Sequence, residues 1–259
     1  MKRVIELKHI GPKEHVRTLI EDLIDRRLIR AFLTQKGVKV PDDLIELQWT
    51  KLEEAAAAGK LDLAKVLSRL GYTEKALKDD LRLPLAWTSY VKKQTTDDQV
   101  RKFFGDHKNH FDGTTRHVRH LVVIVPEGAP VDAWSKAEAR LNELRGEITA
   151  GKISFADAAK ANSDSPTKES GGDLGFVHFH GDLAPPVAEA AFATKLKNVS
   201  EPVRSPFGVH LVMVEEERAG DISLEDARAD VLEAIAQSMW AQQTQELRKK
   251  AKITRPAGR

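Results

Sequence analysis

Along the first hundred positions, apolar residues recur at three- and four-residue spacing. Val16, Leu19, Ile20, Leu23, Ile24, Leu28, Ala31 and Phe32 form one stripe, the pattern of an amphipathic helix, which Gly37 and Pro41 bring to an end. A second helix is expected from Pro41 or Asp42 to Ala58, carrying Leu44, Leu47, Trp49 and Leu52 and stopping at Gly59. A third holds Leu63, Val66, Leu67 and Leu70, with Gly71 as a left-handed cap. Thr73 opens a fourth, in which Pro84 should kink or interrupt the helix because it lacks an N–H and crowds the preceding turn. Thr96 and Gln99 read as a capping box before Val100, Phe103 and Phe104. His107 and His110 are then expected as polar positions on a helix face.

From Arg116 the period changes. His117 to Val125 is rich in β-branched residues, partly alternating, and ends at Pro126, which marks a strand. Trp134, Ala137, Leu141, Leu144 and Ile148 form a helix ending near Gly151, and Ser154 caps a shorter one through Ala159. After a turn-rich stretch from Asn162 to Gly172, strands are expected at Leu174–Phe179, Val203–Ser205 and Val209–Val214, with a short helix from Val187 to Phe192. Strands interleaved with helices indicate an α+β region. Ser223 opens a final helix whose stripe is Leu224, Ala227, Val231, Ile235 and Met239. At about 28 residues, or roughly 42 Å, it is longer than a small domain needs for itself and is expected to pack on the N-terminal helices or on another chain.

Composition narrows the function classes. The 259 residues include 41 Lys+Arg and 39 Asp+Glu, and 41% are hydrophobic, which excludes a wholly disordered chain. No apolar run is long enough to span a membrane, and the first residues carry no apolar core of a secretory signal. There are no cysteines, so disulfides, thiolate catalysis and Cys-based metal sites are absent. The tail from Glu246 to Arg259 holds six basic residues and one acid; it reads as a solvated helix end, with nucleic acid or anionic lipid as the alternative partner. His178 and His180 lack a further ligand at motif spacing, so no metal or other cofactor is expected. A serine hydrolase is disfavoured by the lack of a G-x-S-x-G elbow.

Five short motifs follow one another in order. Arg119-His120-Leu121-Val122-Val123 is the first, and Gly151 to Ala159, with its Phe155 and Ala159, the second. Next come Ser170-Gly171-Gly172-Asp173-Leu174-Gly175, then Gly181-Asp182-Leu183 leading to Ala190-Ala191-Phe192, and finally Ser200-Glu201-Pro202-Val203 leading to Phe207-Gly208-Val209-His210-Leu211. Together they resemble the parvulin family of peptidyl-prolyl cis/trans isomerases. The helical flanks, including Leu70-Gly71-Tyr72-Thr73-Glu74 and Lys249-Lys250-Ala251-Lys252-Ile253, resemble SurA/PrsA-type foldases.

The resemblance implies a four-stranded antiparallel sheet with surrounding helices, plus a helical N-terminal domain completed by the C-terminal helix. The expected division is a helical chaperone-like domain over 1–115, an isomerase domain over 116–218 and a C-terminal helix over 219–259. It implies paired histidines, His120 and His210, joined by Ser205. Where the family usually carries Cys or Asp, this chain has Ser165, with Asp164 beside it as a substitute or a simple turn residue. The matching proline slot is Val177, Leu183, Val187 and Phe207. The implied partners are unfolded or proline-containing polypeptides outside the cytoplasm, and the long terminal helix allows a helix-swapped homodimer. A chaperone with a weak or silent isomerase domain is the second reading.

Overall fold

The computed structural model describes residues 12–254 apart from 127 and 131, with side chains from residue 18 onward. The side chain of Val16 in the first stripe and the tail cations Arg255 and Arg259 lie outside what is described. The chain divides into two compact units, one built on Phe104–Arg228 and the other on Thr18–Phe103 with the chain from Ala229 onward.

The second of these is helical. It contains α2 (Asp42–Ala58), α3 (Leu63–Arg69) and α4 (Glu74–Gln94), together with most of α1 (Pro12–Gln35), α5 (Asp97–Asp106) and α10 (Leu224–Lys250). Trp87 of α4 is buried in its core: the ring packs edge-on against Trp240 of α10, and its Nε1–H donates to the Ala236 carbonyl at 3.0 Å. Arg248, near the end of α10, binds Glu21 and Asp25 of α1, so one cation of the basic tail is engaged within the chain. The long helix therefore completes the N-terminal helical region, as the resemblance implied. Two local expectations change. Helix α4 runs unbroken across Pro84, because Leu83, Ala86, Trp87 and Val91 on either side are all buried and hold it in place. In α1 the buried residues are Ile29 and Leu33, while Leu19, Ile20 and Leu23 face out; in α2, Ile45 and Trp49 are buried, while Leu44 and Leu47 face out.

The other unit is an α+β layer structure. Strands β1 (Thr115–Ile124), β2 (Asp173–His178), β3 (Val203–Ser205) and β4 (Gly208–Arg218) form an antiparallel sheet in the order β2-β1-β4-β3. Successive strand residues point to opposite faces. Leu121, Val209 and Leu211 pack with Leu141 and Leu144 of α7 (Ala133–Thr149) and with Phe155, Ala158 and Ala159 of α8 (Phe155–Asn162). Val118 and Val212 pack on the opposite face with Val177 and with Val187, Ala191 and Phe192 of α9 (Pro185–Ala193). The short helix α6 (Lys108–Phe111) belongs to this unit.

Candidate active site

The site is built on the two central strands. In the β1–β4 register His120 lies opposite Val212 and Val122 opposite His210, so the two imidazoles stand diagonally on the face that also carries Val118 and Val212. Their ring centroids are 5.9 Å apart with 30° between the planes. His210 Nε2 lies 2.7 Å from Ser205 Oγ, which also accepts the Phe207 N–H. His120 Nε2 lies 2.8 Å from Ser165 Oγ and 3.2 Å from Thr167 Oγ1.

The hydroxyls reach His120 through a substitution at the sheet edge. Strand β2 pairs with β1 only as far as Arg119; beyond it, residues 163–172 occupy the edge that β2 vacates. His120 N–H donates to the Gly172 carbonyl at 2.8 Å, Val122 N–H to Ser163 Oγ at 3.2 Å, and Asp164 N–H to the Val122 carbonyl at 2.8 Å. Asp164 closes the run by accepting the Ile124 N–H on its carboxylate at 2.9 Å. Gly172 has φ +78°, and a Cβ there would strike the His120 carbonyl, so only glycine permits this approach. Ser165 then caps a 3-10 turn, Pro166–Ser170, by accepting the Thr167 N–H.

These placements revise several sequence expectations. The Asp164 carboxylate serves as a strand clamp and is not bonded to the histidine chain, whereas Ser165 is bonded to it. Val177 and Val187, at 4% and 2% exposure, are packed into the core between α9 and that face of the sheet. Leu183 is half-buried against the same cluster, and Phe207, 47% exposed, stands on the β3–β4 turn. His110 is no simple helix-face polar residue. It stacks flat on Phe179 at 3.7 Å and meets Phe192 edge-on, so it braces the loop that leads to Leu183, and burial pushes its pKa down to about 4. Thr167 was not foreseen; its only sequence signal is its place two residues after Ser165.

Electrostatically the floor is uncharged. Burial lowers the pKa of His120, and burial followed by repulsion from His120 takes His210 down to about 4. His210 Nδ1 is buried without a hydrogen-bond partner among the described residues, so protonation would place an N–H⁺ where nothing accepts it. Among the described residues, one group of potential metal ligands, His117, Asp173 and Glu215, offers donor atoms within 4.8 Å of one another. Arg119 already fills the cation's place: its guanidinium lies 3.2 Å from Asp173 Oδ2, donates to Glu215 Oε1 at 2.8 Å and reaches the Ser170 carbonyl at 2.9 Å. That cluster anchors the end of the 3-10 turn to the sheet. His178 is paired with Asp182 at 3.0 Å.

The folded pKa of His210 lies below the ordinary value of 6.5, so the unfolded chain binds the extra proton first as pH falls; its contribution to stability is complete above about pH 6.5 and declines from there toward pH 4. An NMR titration of the imidazole should give a midpoint near 4. A midpoint at or above 6.5 contradicts the neutral floor.

Comparison with known proteins agrees with this geometry. Residues 120–216 match the Rotamase family, described as the PPIC-type PPIASE domain. The chain is 37% identical over 119 residues to the Chaperone SurA of Chromobacterium violaceum, covering 46% of this chain and 27% of that protein. It is 28% identical over 205 residues to the Foldase protein PrsA of Caldanaerobacter subterraneus subsp. tengcongensis, covering 78% of this chain and 56% of that one. The chain thus spans about a quarter of the SurA relative and about half of the PrsA relative. Among solved structures, the peptidylprolyl isomerase PrsA of Bacillus anthracis superposes with a TM-score of 0.52 at 21% identity, over 92% of this chain and 100% of that one, a likeness of fold. Residues 120–216 therefore form a domain of the PPIC-type, or parvulin-type, peptidyl-prolyl isomerase family, in a chain similar to the SurA-like and PrsA-like proteins.

Proposed function

We propose that this chain catalyses cis/trans isomerisation of X-Pro peptide bonds in unfolded polypeptides. In this reading 116–218 carries the catalysis, while 1–115 and 219–259 hold the client. The clients are exported polypeptides met outside the cytoplasm, an assignment that follows from the similarity to SurA and PrsA. No helix among the described residues is long and apolar enough to cross a membrane.

The observation that carries the reading is the pair of neutral sheet histidines, each held by a hydroxyl. Amide resonance sets a rotation barrier of about 18–20 kcal/mol, and unaided X-Pro bonds take tens to hundreds of seconds to interconvert. Only the twisted amide has lost its partial double bond, so a site that binds that geometry better than the planar one accelerates rotation without any covalent step. Buried neutral groups suit this work, because they orient hydrogen bonds without attracting water or charged side chains into the site. The proposed roles are organisation of the floor by His120, His210 and Ser205, the polar contact from the Ser165 segment, and apolar contact with the proline ring from Leu183 and Phe207. In a protease-coupled assay with proline tetrapeptides, micromolar protein should accelerate the cis-to-trans step severalfold over background. A rate equal to background removes the isomerase reading.

A second reading, client holding by the helical unit, has its own support. Leu19, Leu23, Leu44 and Leu47 are exposed, and an open groove of about 400 Å³ is lined by Trp49, Leu67 and Tyr72 among others. Such surfaces suit extended apolar segments. The chain should therefore suppress aggregation of a chemically unfolded, proline-free client at near-stoichiometric ratio, and Leu23→Ser combined with Leu47→Ser should weaken that suppression. Suppression unchanged by the double substitution contradicts a role for these leucines.

A further inference from the structure

Ser165 occupies the position where the resemblance puts the polar residue, yet its hydrogen bonds are already fully used. We propose that Thr167, and not Ser165, presents the hydroxyl that meets the prolyl amide; this rests on the isomerase reading and assigns its polar contact.

The inference follows from counting donors and acceptors. Ser165 Oγ, Thr167 Oγ1 and His120 Nε2 form a closed triangle with sides of 2.8, 2.9 and 3.2 Å. A serine hydroxyl has one proton and two lone pairs. One lone pair of Ser165 Oγ accepts the Thr167 N–H at 3.2 Å, which caps the 3-10 turn. With a proton on His120 Nε2, that N–H donates along the shorter, 2.8 Å side and takes the second lone pair. Ser165 then gives its own proton to Thr167 Oγ1, and the Thr167 O–H is left to donate outward. With Nε2 bare, Ser165 donates to it and accepts the Thr167 O–H, so Ser165 is again saturated and Thr167 keeps open lone pairs. In both tautomers the spare capacity lies on Thr167.

Access points the same way. Ser165 is only 5% exposed, whereas Thr167 is half-buried. The Thr167 backbone is fixed, its carbonyl accepting from Ser170 Oγ and from the Gly172 N–H. With the proton on His120 Nε2, the outward O–H is therefore a positioned donor on a rigid turn.

Twisting the X-Pro bond returns the lone pair to the proline nitrogen and leaves the carbonyl more ketone-like. A donor aimed at that nitrogen gains strength only as planarity is lost, which is the differential stabilisation catalysis requires. The order His120 N–H to Ser165, Ser165 O–H to Thr167 and Thr167 O–H to the nitrogen polarises each member in turn. No proton changes owner and no bond is made.

The test compares wild-type chain with Thr167→Val, Thr167→Ser and Ser165→Ala, measuring kcat, KM and melting temperature on one proline tetrapeptide. Thr167→Val keeps shape and removes the hydroxyl. It should cost about tenfold in kcat/KM, mostly in kcat, with the melting temperature near wild type, the scale of one hydrogen bond made only in the transition state. Thr167→Ser should restore most of the rate, and Ser165→Ala should lower the melting temperature more than Thr167→Val does, because it removes the cap. An active wild type whose Thr167→Val variant is equally active overturns the assignment. So does a loss that Thr167→Ser fails to restore. Failure of the isomerase reading looks different, since wild type and every variant would then match background.

Discussion

Antiparallel pairing of β1 with β4 is the constraint on which the site depends. It places His120 opposite Val212 and His210 opposite Val122, so both rings share one face with the valines that pack against α9. Strand side chains alternate with a period of two, so a slip of one residue between β1 and β4 would turn one imidazole into the opposite core among Leu121, Val209 and Leu211 and separate the pair. The bulge that adjusts the register, between His117 and Val118, lies before the paired histidines and leaves their alignment regular. Burial on both faces of these strands makes the register expensive to change, and the same burial keeps the rings neutral.

Neutrality and rigidity have a common origin. Where β2 ends, residues 163–172 complete the edge of β1, and the hydrogen bonds that would otherwise be unmade at His120, Val122 and Ile124 are satisfied by Gly172, Ser163 and Asp164. The same segment brings Ser165 and Thr167 to His120. Arg119, one residue away on β1, ties the end of this segment to Glu215 and Asp173. Adjacent strand residues thus divide the work: Arg119 gathers the charges and fixes the turn, while His120 stays uncharged and faces the site.

Much of this was legible in the sequence because glycines, caps and histidines sit where the backbone demands them. The order of the motifs conveyed the sheet and both histidines, and Ser154, Thr73 and the Thr96/Gln99 box begin helices as read. What periodicity could not convey was which apolar residues would be covered. Val177 and Val187, matched to the slot by the resemblance, are buried between α9 and the sheet. Leu19 and Leu23 look like core and face outward, because α1 buries the face of Ile29 and Leu33 instead. Side-chain direction was equally hidden. Asp164 and Ser165 are neighbours, yet one clamps a strand and the other bonds an imidazole, and His110 is drawn against Phe179 by a contact across 69 positions of sequence.

In the proposed function, isomerisation is a change of binding between planar and twisted amides over a neutral floor, with no proton transferred. The pH dependence of kcat/KM for a non-ionising proline peptide tests this most directly. With His210 neutral down to a pKa of about 4 and burial holding His120 below the ordinary imidazole value of 6.5, the profile should be flat from about pH 6.5 to 8. A bell-shaped profile, or a slope of one unit per pH unit within that window, would show a titrating catalytic group and contradict the account.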